Sequence, residues 1–168
     1  GSLARPFTTV HQAYEAALKE SGSVAQAQPN WQVIASHLDN PRGLDFAPNG
    51  ALYIAEAGRG GNGPEVPGPE GKAYFGRSGA ITRVFKGVQE RIVTGLPSVA
   101  NAQGFSAAGP ADISFGQQGH AALTIGLGLN PAVRDSVLGT AGAGMGVLYQ
   151  LNQNGQLKAI VDLAAFEG

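Results

Sequence analysis

From Trp31 onward the chain runs twice through the same order of short apolar segments and turns, and this repetition limits its fold more than any other feature of the sequence. The first copy opens with Gly43-Leu44-Asp45-Phe46, turns at Pro48-Asn49-Gly50 and continues as Ala51-Leu52-Tyr53-Ile54-Ala55. The second copy has Ala111-Asp112-Ile113-Ser114-Phe115, a turn at Gln117-Gln118-Gly119 and Ala121-Ala122-Leu123-Thr124-Ile125. Each pair leads into a long Gly-rich insertion and then a hairpin, residues 80–84 with 90–93 in one copy and 147–151 with 157–161 in the other. Phe46 and Phe115 lie 69 residues apart and Val93 and Val161 lie 68 apart, so the period is nearly constant.

Tandem units of four antiparallel strands predict an all-β chain of two β-propeller blades, because a small sheet must cover its faces with its neighbours. Two unrelated meanders in a sandwich are the competing arrangement. The 26 Gly and 10 Pro, with only 14% charged residues, agree with many turns between short strands.

The organisation expected along the chain is a short N-terminal helix, a linker and two blades. Gly1-Ser2 reads as a scar of tag removal. Thr9 and Gln12 fit a capping box, and Val10, Ala13, Tyr14, Ala17 and Leu18 recur at helical spacing, which predicts a helix over residues 9–20 and a small, polar linker up to residue 30. Residues 31–38 resemble the fourth strands of both repeats and read as an outer strand of the kind that closes a propeller ring. The blades then span residues 39–100 and 101–168. A closed ring takes at least about four blades. The expected partners are therefore the remaining blades of a longer protein or other copies of this chain. Ser23-Val24-Ala25-Gln26-Ala27 resembles the small-residue cleavage site of an exported protein.

Composition removes several classes. Eleven Lys and Arg, scattered among twelve Asp and Glu, give a formal charge of −1 and no basic stripe for nucleic acid or an anionic membrane surface. With no cysteine there is neither a disulfide framework nor a thiolate metal site. No apolar run approaches the roughly 18 residues that cross a bilayer.

The run Asn40-Pro41-Arg42-Gly43-Leu44, followed by Gly50-Ala51-Leu52-Tyr53-Ile54-Ala55-Glu56-Ala57-Gly58-Arg59-Gly60-Gly61, resembles the ScyD/ScyE family of propeller proteins from scytonemin gene clusters. Gly79-Ala80-Ile81-Thr82-Arg83-Val84, Thr94-Gly95-Leu96-Pro97-Ser98 and Thr124-Ile125-Gly126-Leu127-Gly128 recur in the family's order, and the likeness covers about residues 31–165. The resemblance implies an exported, bacterial, six-bladed-type propeller, periplasmic or extracellular. It also implies association with secondary metabolism, at late, oxidative steps of making an indolic-phenolic pigment. The family's first insertion often carries a cysteine pair, where this chain has Glu65 and Ala73.

In a propeller the first strand of each blade lines the central channel, so polar groups at its start converge on one axis. Arg42, Asp45 and Asp112 are the candidates, with Thr124 on the adjoining strand of the second repeat. Arg42 offers a planar, permanently charged fork for a carboxylate, a phenolate or an aromatic ring; the alternative is a structural tie to backbone carbonyls. Glu56 and Arg59 flank the insertion from Ala57 to Ser78, which is expected to sit on one face of the disc. Its glutamates lack the spacing of a Ca²⁺ loop, and its glycines lack the Lys-Ser/Thr ending of a phosphate loop. His11, His37 and His120 form no pair at metal-ligand spacing, so neither cofactor nor metal is implied. Two functions are expected: a propeller that binds a small aromatic or anionic metabolite at its axial face, or a noncatalytic scaffold that engages another protein.

Overall fold

The computed structural model describes residues 32–68 and 70–167. The helix expected over residues 9–20 and the linker lie outside the described residues. One compact unit runs from Ile34 to Gly168.

Its first sheet is built from β1 (Pro41–Phe46), β2 (Leu52–Glu56), β3 (Glu65–Gly68), β4 (Gly71–Phe85) and β5 (Val88–Ala100). Its second is built from β6 (Pro110–Phe115), β7 (Ala121–Ile125), β8 (Val147–Leu151) and β9 (Leu157–Asp162). All pairings are antiparallel. Both sheets contain the same meander, β1-β2-β4-β5 and β6-β7-β8-β9, so each strand expected from the repeat is present. The register repeats as well: Phe46 faces Leu52 and Phe115 faces Ala121.

Equivalent turns close the hairpins. In the five-residue turns 47–51, 116–120 and 152–156, the first residue's amide bonds the last carbonyl and the fourth residue's amide bonds the first carbonyl. The fourth residues, Gly50, Gly119 and Gly155, have φ of 82°, 76° and 80°, the left-handed conformation such three-residue hairpin loops require. This is why Pro48-Asn49-Gly50 and Gln117-Gln118-Gly119 read as turns.

The two sheets pack on each other. Ala51, Tyr53, Ala55 and Ile81 of the first share one core with Ile113, Ala121, Leu123, Ile125 and Leu151 of the second. At the inner edge β1 lies against β6, where the Asp45 carboxylate accepts a 2.7 Å bond from the Phe115 amide across the seam.

The long insertions depart from the expectation of loops. The first folds into the hairpin β3–β4, a continuation of β4 beyond its pairing with β2. The second holds a short helix α1 (Pro131–Val133), a π-helical turn over Arg134–Leu138 and a 3₁₀ turn over Gly139–Ala141. Asn130 caps α1 through its side chain, with Pro131 at the first position. Val66, Ala73, Phe75 and Val99 pack with Leu138 and Met145 into a second core, so each insertion covers the other. A last helical turn, α2 (Ala164–Glu167), follows β9.

The outer strand expected over residues 31–38 has no pairing partner among the described residues, and residues 32–38 join neither sheet. A strand needs a sheet edge to pair with, and instead side chains hold this segment. The Gln89 carboxamide bonds both the amide and the carbonyl of Ser36, at 3.0 and 2.9 Å. Val33 and Ile34 remain exposed.

Leu123 is fully buried in the core shared by both sheets, so Leu123→Ala is expected to cost about 2–5 kcal/mol. Leu44→Ala, on the exposed far face of sheet 1, should cost far less. Urea midpoints at constant m-value check this, and equal losses would contradict the assigned core.

Candidate functional site

Of the predicted site residues Arg42 alone lines a hollow, and several of the others act as fastenings. Glu56 is one of these. At the end of β2 it is fully buried, and its carboxylate accepts bonds from the Asp39 amide (2.6 Å), the Thr82 hydroxyl (2.5 Å) and the Arg91 guanidinium (Nη2 at 2.7 Å and Nε at 3.1 Å). Arg91 also reaches Asp39 at 3.0 Å and the His37 carbonyl at 3.2 Å. A carboxylate so occupied has no free lone pair aimed at a ligand, which removes Glu56 from the binding set. Burial by itself would raise its pKa; the bonds from Arg91, Asp39 and Thr82 outweigh burial and hold the carboxyl below its usual value.

Asp45 is likewise committed, to the amides of Phe46 at 2.8 Å and Phe115 at 2.7 Å. Arg59 donates to the Gln103 carbonyl at 3.0 Å and lies 5.8 Å over the centre of the Phe105 ring, so it braces the loop from Asn101 to Gly109. Thr124 is half-buried on β7 opposite Asp112, and both point to the face of sheet 2 away from Ile113 and the shared core.

Asp112 lies against Gly43 rather than Arg42: a Cβ on Gly43 would stand 2.4 Å from Asp112 Oδ1 and 2.7 Å from its Cα, and that Oδ1 accepts a 2.9 Å bond from the Ile113 amide. Arg42 Nη2 donates to the Ala107 carbonyl at 2.8 Å, the structural tie anticipated for it. Beside it opens a hollow of about 250 Å³ whose other walls are Ala57, Ala107, Ala108, Gly109, Ala111 and Gly126.

The run Ala57-Gly58-Arg59-Gly60-Gly61 is held above this region by two hydroxyls. Ser98 Oγ donates to the Ala57 carbonyl and accepts from the Gly60 amide, at 2.6 and 3.0 Å. Ser78 Oγ donates to the Gly60 carbonyl and accepts from the Arg59 amide, at 2.6 and 2.8 Å. The glycines are there for close approach: with φ of 63°, Gly60 lies where a Cβ would be 2.5 Å from the Tyr74 carbonyl oxygen.

Sequence reasoning missed Arg91, Ser98 and Arg134. Arg134 is buried, and its guanidinium bonds Asp135 and Asp162, both at 2.8 Å, and the Met145 carbonyl at 3.1 Å. The presence of a buried Glu56 beside an otherwise apolar strand was the available signal for a partner such as Arg91. Among the described residues no group of three His, Cys, Asp or Glu could hold a metal ion, and no helix is long and apolar enough to cross a membrane.

No protein-family model and no curated protein matches this chain. Among solved structures, a protein of Thermus thermophilus described as a proposed oxidoreductase (glucose dehydrogenase) is similar at 18% identity and a TM-score of 0.35. The match covers 74% of this chain and 48% of that one, and at this TM-score it carries no argument about fold or activity.

A carboxyl that ionises more readily in the folded than in the unfolded chain adds stability that is complete above the ordinary carboxylate range. That stability is lost as pH falls through the lowered folded value. Urea midpoints taken from neutral pH down to about pH 3 should therefore fall more steeply for the natural sequence than for Glu56→Gln. Equal slopes would contradict the assigned network.

Proposed function

We propose that the two stacked meanders are adjoining blades of a β-propeller and that the Arg42 hollow binds a small anionic or aromatic metabolite. The observation that carries this reading is the composition of the hollow: one guanidinium faces walls made of alanine and glycine from both sheets' loops. Among the described residues Arg42 spends only Nη2 on the protein, so the rest of its fork is available to a carboxylate or phenolate, and its flat face to a ring. Small walls leave the ligand room, and the tie to Ala107 fixes the cation in advance.

The propeller reading is supported by the repeated register, by the face-to-face packing of the sheets and by the exposed apolar side chains on their outer sides. Leu44 and Phe46 are 59% and 60% exposed on one side, and Ile160 is 49% exposed on the other. Further blades, of a longer protein or of other copies, would cover them. The motif run from Asn40 to Gly61, which supplies Arg42 and the loop above it, supports a ScyD/ScyE-type protein. On that reading the protein is exported and supports an oxidative step of pigment-like secondary metabolism.

A noncatalytic interaction module is the second reading. Phe105, 57% exposed at the tip of the β5–β6 loop beneath Arg59, is the observation that favours it.

Calorimetric titration separates the two. Indole-3-acetate and 4-hydroxybenzoate are expected to bind saturably, with affinity lowered at least tenfold, about 1.4 kcal/mol, by Arg42→Ala. Binding that is absent, or indifferent to Arg42→Ala, would contradict the metabolite site.

A further inference from the structure

We propose that the seam between the sheets, on the side of their short turns, is a second binding site, for a neutral pyranose ligand of one or two sugar residues. It shares no lining residue with the Arg42 hollow and does not rest on it. Three of the closed five-residue turns converge here: Asn49 comes from the β1–β2 turn, Gln117 and Gln118 from the β6–β7 turn and Gln153 from the β8–β9 turn. Between them lies a groove of about 380 Å³, within the roughly 300–1,000 Å³ of small-molecule sites.

The chemistry of the walls selects the ligand. The carboxamides of Gln117, Gln118 and Gln153 have no hydrogen-bond partner among the described residues, and each can donate and accept at once. That is the pattern of a hydroxyl-rich molecule, whose groups also do both. The charged group lining the groove, Arg83, has its charge paired with Glu90, while its buried Nε–H has no partner among the described residues and adds a donor for a ligand oxygen. At the floor the half-buried Phe115 ring is fixed edge-to-face against Tyr53, with centroids 4.7 Å apart and planes at 63°. An aromatic ring so held gives an apolar face for the C–H side of a pyranose.

The site is also built in advance. At Gly119 a Cβ would stand 2.5 Å from Gln153 Nε2, so the bare glycine leaves room for the Gln153 carboxamide beside the neighbouring turn. The turns are closed by backbone bonds of 2.8 to 3.1 Å, so little order remains to be gained on binding.

The test is titration of the full chain with glucose, cellobiose and N-acetylglucosamine, with glucuronate as the anionic control and sorbitol as the acyclic one. At least one neutral pyranose should bind saturably and more tightly than glucuronate and sorbitol. Gln117→Leu with Gln153→Leu should weaken it at least tenfold at an unchanged melting temperature, while Arg42→Ala should leave it intact. No saturable binding, preference for glucuronate or sorbitol, or indifference to the glutamine pair would each overturn the proposal. Sensitivity to Arg42→Ala with insensitivity to the glutamines would move any binding to the other hollow.

Discussion

The structure depends on one apolar contact that neither sheet could make by itself. A small sheet has no way to bury its own face, so the side that carries Tyr53, Ala55 and Ile81 needs an apolar partner. The second meander supplies it with Ile113, Leu123 and Ile125. Asp45 then fixes how the partners are aligned, because its carboxylate satisfies a backbone amide on each side of the seam. The outer faces obey the same rule in reverse. There Leu44, Phe46 and Ile160 are exposed, with no sheet over them among the described residues.

Polar fastenings do at the loops what packing does between the sheets. Ser78 and Ser98 take the backbone groups of Ala57 to Gly60, which a buried loop could not leave unpaired. Glu56 and Arg91 join the end of β2 to β5 and, through Asp39, to the segment that enters β1. Arg134 ties the π-helical turn to the end of β9. These bonds keep the loops around Arg42 in place, and its hollow depends on them.

The period-two alternation and the turn glycines made the strand order readable, and a near-constant period showed that it occurs twice. Contacts remote in sequence were not readable in the same way. Nothing near Glu56 announces Arg91, which lies 35 residues on and reaches it only because β2 and β5 flank β4. The glycines of 58–63 suggested turns, whereas several are small because β4 passes within contact distance, a demand set by tertiary structure. Residues 32–38 carry strand-forming side chains, but strand formation needs an edge as well as a pattern, and here Gln89 and Arg91 hold Ser36 and His37 instead. Arg42 was named for its chemistry, and the structure adds what its neighbours lack: side chains large enough to fill the space beside it.

Both proposed sites sit in the seams. The Arg42 hollow and the glutamine-lined groove lie between loops or turns of both sheets, so each depends on the sheets moving as one body. Native-state hydrogen exchange tests that dependence most directly, through the slowest amides of β2 and β4 and those of β7 and β8. The account predicts one shared opening free energy for both groups, lowered equally in both by Asp45→Ala. Separate opening energies, with the variant affecting one sheet alone, would contradict it.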